Sequence, residues 1–69
     1  MRLSSRNMIK GKVADVEMGT VAAKVKVDIG GGNAITSTLT VEAVEELGIK
    51  VGDEISCFIK ASSVMLGKD

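Results

Sequence analysis

The chain has 69 residues, 45% of them hydrophobic, with nine basic and nine acidic side chains and a formal net charge of zero. That balance argues against a polyanion binder, because neutralised phosphates supply most nucleic-acid affinity. One cysteine and no histidine exclude an intramolecular disulfide, the common N/S zinc sites, and Ser-His-Asp or Cys-His catalysis.

A chain this short buries only about 60% of the surface it exposes when unfolded, and a lone core of this size rarely supplies more than roughly 3–5 kcal/mol. With no covalent or metal staple, self-association remains as the way to bury more apolar surface, and the hydrophobic content points to an oligomer. Phe58 is the only aromatic residue, so the core is expected from Val, Ile, Leu, Ala and Met. The stretch Met1–Asn7 has no apolar run of signal-peptide type and no segment is long enough to span a membrane. With a lone thiol, this reads as a cytoplasmic protein. The absence of proline, linker or low-complexity tract makes residues 1–69 one domain.

In chain order, Met8 to Val16 reads as a strand, with Ile9, Gly11 and Val13 on one face and Lys10 and Lys12 on the other. Gly19 marks a turn. Val21 to Ile29 alternates almost perfectly: Val21, Ala23, Val25, Val27 and Ile29 face one way, Ala22, Lys24, Lys26 and Asp28 the other, as in a strand with one buried face. Gly30-Gly31-Gly32-Asn33 is a hairpin turn built from residues that tolerate positive φ. Neither phosphate-loop glycine pattern is present there. Ala34 to Leu39 returns as a third strand, with Ile35, Ser37 and Leu39 together. Thr40 is an N-cap for a short helix, Val41 to Leu47, whose Val41, Val44 and Leu47 are spaced to share a face, and Gly48 follows its end. Glu42 suits the first turn; it, Glu45 and Glu46 form a solvated face. Glu54 to Lys60 is a fourth strand, with Ile55, Cys57 and Ile59 inward and Phe58 outward. Cys57 on that inner face is expected to be an inert thiol. The outward phenylalanine suggests a covered surface. Ala61 to Leu66 is a fifth strand or a continuation. The predicted fold is all-β with one short helix, in the order of a five-stranded OB-like Greek-key barrel.

Catalysis is hard to assemble from these residues, and no enzyme activity is expected. What remains is a supply of hydrogen-bond donors near the two chain ends: Ser4, Ser5, Arg6 and Asn7, and Lys60, Ala61, Ser62 and Ser63. A tetrahedral dianion offers only acceptor lone pairs, so it needs hydroxyls, amides, backbone N–H groups and cations without carboxylates. Neither cluster contains Asp or Glu. Taken alone, each also suits a solvated arm or a polar strand end.

The two clusters, with the segments between them, resemble the molybdenum-pterin-binding (Mop), or molbindin, family of the TOBE-domain group. A SARN-type start stands as Ser4-Ser5-Arg6-Asn7, with Ser5 where the family usually has alanine. A GGGN-type hairpin stands as Gly31-Gly32-Asn33 before Ala34-Ile35-Thr36-Ser37. A VEELGL-type helix is Val44-Glu45-Glu46-Leu47-Gly48-Ile49, and an IKAS-type close is Ile59-Lys60-Ala61-Ser62-Ser63-Val64-Met65-Leu66. The likeness covers almost the whole chain, and its specificity lies in the combination of pieces.

The resemblance implies a five-stranded OB-like barrel, a homohexamer built as a trimer of dimers, and two kinds of site holding molybdate or tungstate between subunits. The residues it carries over are Ser4, Arg6 and Asn7 from the N-terminal motif, Lys60, Ala61 and Ser62 from the C-terminal one, and Gly19, Thr20 and Val21 as backbone groups from the first turn. Arg6 and Lys60 would give charge-assisted hydrogen bonds, Ser4, Asn7 and Ser62 neutral ones, and Ala61 its backbone N–H. The metal arrives inside its oxyanion, so no protein side chain ligates it. A donor-only site disfavours protonated phosphate, which brings a donor of its own, and sulfate differs only in size. Without an aromatic cage for a pterin ring, the bare oxyanion is the expected ligand. Storage, buffering or delivery would all use such a site. The competing readings are an OB-fold module for single-stranded nucleic acid, disfavoured by one aromatic and no net charge, and a regulatory interaction domain.

Overall fold

The computed structural model describes residues 6–69. Among them four strands, one α-helix and a 3₁₀ turn follow in order: β1 Asn7–Met18, β2 Ala22–Gly30, β3 Asn33–Thr40, α1 Val41–Leu47, β4 Glu54–Ile59, and the 3₁₀ turn Ala61–Ser63. All pairings are antiparallel and the sheet order is β3-β2-β1-β4. Hairpins join the first three strands. The chain then returns through α1 to lie beside the first.

β1 holds the fold together because its two halves pair with different strands. Asn7–Lys12 pairs with β4, and Lys12–Met18 with β2. The register shifts between Val13 and Asp15, and such a bulge bends a strand and raises its twist. Gly11 lies on the concave side of the bend. A Cβ there would come within 2.6 Å of both the Asp28 carbonyl oxygen and Val27 Cγ1, so β2 crosses where only a hydrogen fits. The curled sheet wraps a small core of Val13, Ala23, Val25, Val27 and Val44, each 4% exposed or less. Val16, Ile29, Leu39, Val41, Ile49, Ile55 and Cys57 pack against it. The outer face alternates charge across strands. Lys24 stands opposite Glu17, Lys26 opposite Asp15, and Lys12 between Asp28 and Glu54, an arrangement favoured over like-charge pairing.

The β2–β3 turn has Gly31 and Gly32 both at positive φ, 62° and 77°, as a two-residue hairpin matched to right-handed strand twist requires. The α1 caps are those expected. The Ala43 N–H donates to Thr40 Oγ1 at 3.0 Å, and Gly48 sits in the left-handed region at φ 64°. The Ile49 N–H donates back to the Val44 carbonyl at 3.1 Å. Beyond α1, the Gly52 N–H donates to the Val13 carbonyl and the Val13 N–H to the Asp53 carbonyl, both at 2.8 Å. The loop is thereby fastened to the bulged part of β1.

Three expectations are corrected. Ala61–Leu66 forms no fifth strand in the chain: it makes a 3₁₀ turn and then runs without a ladder partner. Leu47 does not share the buried face of Val41 and Val44 but is 70% exposed. Six residues at about 100° each carry it roughly 120° from Val41. Val21 lies in the turn before β2, also exposed, with only its carbonyl engaged, accepting from the Val41 N–H at 2.8 Å. The strand bounds differ by a residue or two at several ends.

Candidate functional site

The β1–β4 register pairs Asn7 with Ile59. It sets the start of β1 against the end of β4, so Arg6 and Asn7 lie at the same end of the sheet as Lys60, Ala61 and Ser62. A side-chain bond fastens this end: Asn7 Nδ2 donates to the Ile59 carbonyl at 3.1 Å across 52 positions of sequence. Arg6 and Lys60 are exposed, while Asn7 and Ile59 are half-buried. Two cations are thus carried on a strand end whose position is fixed by ladder bonds and by one amide.

The 3₁₀ turn adds donors. The Ser63 N–H donates to the Lys60 carbonyl at 2.8 Å and the Val64 N–H to the Ala61 carbonyl at 3.3 Å. The amides of Ala61 and Ser62 open the turn, and the first N–H groups of a helical turn have no acceptor within it. With the Ser62 hydroxyl, they offer neutral donors beside Lys60. Neither Arg6–Asn7 nor Lys60–Ser63 contributes a carboxylate. This donor set suits an anion rich in acceptors and gives a cation nothing to bind.

The other expected residues are placed elsewhere. Ser4 lies outside the described residues. Gly19, Thr20 and Val21 form the β1–β2 turn, at the far end of β1 from Asn7. A straight strand of that length spans about 36 Å; curling shortens it, but the gap stays many times the roughly 3 Å of a hydrogen bond. No single small anion touches both groups within one chain. The Gly19 N–H is also occupied, donating to the Ala22 carbonyl at 2.9 Å, which leaves Thr20 and Val21 as the donors of that turn.

A depression of about 710 Å³ is a different place. It is lined by Lys10, Lys12 and Ser56 but also by Asp28 and Glu54, whose carboxylates oppose a dianion. Among the described residues no cluster of His, Cys, Asp and Glu could hold a metal ion. Cys57 is half-buried against the core, and burial pushes its thiol up, away from the reactive thiolate. No helix of the described residues is long and apolar enough to cross a membrane.

The Asn7 bond to Ile59 was not legible beforehand. The residue was expected as an oxyanion donor, and the structure shows one of its two amide hydrogens holding the adjacent strand. Asn7→Ala is expected to raise backbone amide hydrogen exchange at Lys60–Ser63 in anion-free protein without unfolding the sheet. Unchanged exchange there would mean that the ladder alone positions the segment.

A curled antiparallel half-barrel with one short helix, ending in a carboxylate-free seam of donors, defines a small β module equipped to hold an anion. The TOBE domain model matches residues 3–66, and the chain belongs to the molybdenum-pterin-binding (Mop) family of TOBE domains. It is 52% identical over 67 residues to a probable molybdenum-pterin-binding protein of Haemophilus influenzae, covering 97% of each chain. Among solved structures it is similar to MopII from Clostridium pasteurianum, at TM-score 0.89 and 43% identity over 97% of this chain and 100% of that one. It is also similar to the cytoplasmic molybdate-binding protein ModG in a molybdate-bound form, at TM-score 0.90 and 51% identity. There it covers 97% of this chain and 48% of the other.

Proposed function

We propose that this chain binds molybdate, with tungstate as an alternative cargo, at seams between identical copies, and that it serves storage, buffering or delivery of the oxyanion without catalysing a reaction. The observation that carries this reading is the Asn7–Ile59 pairing, which gathers Arg6, Lys60, Ala61 and Ser62 at one sheet end with no carboxylate among them. Relatives named for molybdenum-pterin and molybdate binding support it. Residues 1–69 act as one oxyanion-binding domain in the cytoplasm. The bare oxyanion is the ligand, since the sole aromatic side chain, Phe58, cannot cage a pterin ring.

Binding at seams follows from two features. One sheet end offers too few groups to surround a dianion, and the Thr20–Val21 donors stand at the opposite end of the same chain. Assembly lets the donors of one copy complete those of another, as a homohexamer of three dimers would. An ion bridging copies stabilises the assembly by mass action. The sheet remains open between β3 and β4, and its closure into a five-stranded Greek-key barrel is likewise a property of the assembly.

The deciding experiment is native mass spectrometry of the purified protein titrated with molybdate and then with sulfate. The expected result is an oligomer that takes up several molybdates and no sulfate. A monomer that binds neither overturns the reading.

A further inference from the structure

The β1–β2 turn owes an open amide to the way α1 begins. The β2–β3 ladder pairs Ala22 with Thr40 at its end, so Val21 and Val41 stand opposite one another one step further on. Two residues facing each other in a hydrogen-bonded antiparallel pair exchange both N–H···O bonds. Here one of the two is made: the Val41 N–H donates to the Val21 carbonyl at 2.8 Å. Val41 is the first residue of α1, and its carbonyl is committed to the helix. The Val21 N–H is thereby left without the acceptor that a continuing ladder would have given it, and Val21 is 73% exposed.

The same step fixes the turn from both sides. The Gly19 N–H is held by the Ala22 carbonyl at 2.9 Å, and the Val21 carbonyl by Val41. Between these anchors lie two planar peptide units that carry the Thr20 and Val21 N–H groups. Among the described residues neither N–H is spent on the chain itself. The turn is also tight, since a Cβ on Gly19 would meet the Ala22 carbonyl oxygen at 2.7 Å. α1 in turn is a firm support. Val44 is buried in the core and Val41 packs against it. The Thr40 hydroxyl takes the Ala43 N–H, which leaves the Val41 N–H for the turn.

We propose that Val41 is a positioning residue of the oxyanion site: its backbone N–H, and not its side chain, presets the Thr20 and Val21 amides for the ion. The proposal rests on the binding reading above and deepens it, because it concerns how those donors are held before the anion arrives. Donors already fixed need no ordering when the ion binds. Loosened, the same two amides lose backbone freedom on binding, which weakens it.

The test replaces the Thr40–Val41 peptide bond with an ester in a full-length chain assembled by chemical ligation at Cys57, which exchanges the N–H for an oxygen and keeps every side chain. Molybdate affinity by calorimetry is expected to fall about two- to tenfold, the scale of one intramolecular hydrogen bond. Backbone order parameters of Thr20 and Val21 in the anion-free protein are expected to fall from the rigid range, about 0.85, toward about 0.6. Ile49→Ala is the comparison for mere destabilisation, because Ile49 packs against the core beyond the far end of α1 and leaves the tether whole. It should melt lower and bind molybdate within about twofold of the parent. An ester with the parent's affinity, or an Ile49→Ala variant that loses as much as the ester, overturns the proposal and leaves the oxyanion reading standing. Should the ester fail to fold, the parent decides. By reciprocity of coupling, molybdate should slow exchange of the Val41 amide more than that of Ala43, whose acceptor is Thr40, and equal slowing overturns the proposal. A parent that takes up no molybdate overturns the oxyanion reading and this proposal together.

Discussion

Replacing Arg6 with alanine is expected to weaken molybdate binding by roughly one to two orders of magnitude and leave the fold intact. A hydrogen bond to a charged group contributes about 1.5–3 kcal/mol, and each 1.4 kcal/mol or so is a factor of ten in affinity. Arg6 precedes β1, is exposed and lies outside the core, so its loss leaves no cavity. Lysine at this position keeps the charge but not the planar fork, and Arg6→Lys should fall between alanine and the parent. Isothermal titration calorimetry with molybdate, alongside thermal melts of the anion-free proteins, separates binding from folding. Unchanged affinity in Arg6→Ala would remove Arg6 from the site.

Gly11→Ala should give the largest loss of stability for the smallest change in the molecule. The added carbon would lie 2.6 Å from a backbone oxygen of β2 and 2.6 Å from a buried valine side chain. The Asp28 carbonyl belongs to a strand already paired on both sides and cannot simply swing away. Overpacking a well-filled core costs about 1–3 kcal/mol. In a domain of this size each kcal/mol lowers the melting midpoint by about 4–8 °C. A core worth only roughly 3–5 kcal/mol leaves Gly11→Ala close to unfolding, and Gly11→Val beyond it. Denaturant titration followed by circular dichroism measures the effect. A midpoint equal to the parent's would show that β1 and β2 separate at this crossing without cost.

Local rules made most of the fold legible. The near-perfect alternation through Val27, the three glycines before Asn33, and Thr40 with Gly48 around the helix each describe interactions between near neighbours, and each stands where expected. Cys57 and Phe58 were assigned to opposite faces of β4 correctly for the same reason. The Leu47 failure was local, a matter of helix rotation, whereas those at Gly11 and Ala61–Leu66 fall where the answer depends on distant parts of the chain. Gly11 was read only as sharing a face with Ile9 and Val13, because nothing in that stretch reveals that β2 crosses there. Ala61–Leu66 carries residues compatible with a strand, but an unpaired strand has no ladder within one chain to hold it. For the site, the two donor clusters were visible as composition and their resemblance to a family supplied the roles. That the clusters share one sheet end is a fact of register. The opposite placement of the Gly19–Val21 turn follows from the length of β1, which the alternation understated at both ends.

The bond between Asn7 and Ile59 spans 52 positions, among the widest separations in the chain, and this bears on the order in which the molecule forms. The β1–β2–β3 hairpins join neighbouring segments and can form early, whereas pairing β1 with β4 requires closure of nearly the full chain. Doubling a loop costs only about 0.6 kcal/mol of closure entropy, but long-range pairing slows folding far more than it weakens the final state. The proposed oxyanion donors, Arg6 beside Lys60–Ser62, are therefore expected to meet only when β1 pairs with β4, and a chain lacking that pairing is expected to hold no ion. In a denaturant titration, ion binding should disappear before the hairpin signal does.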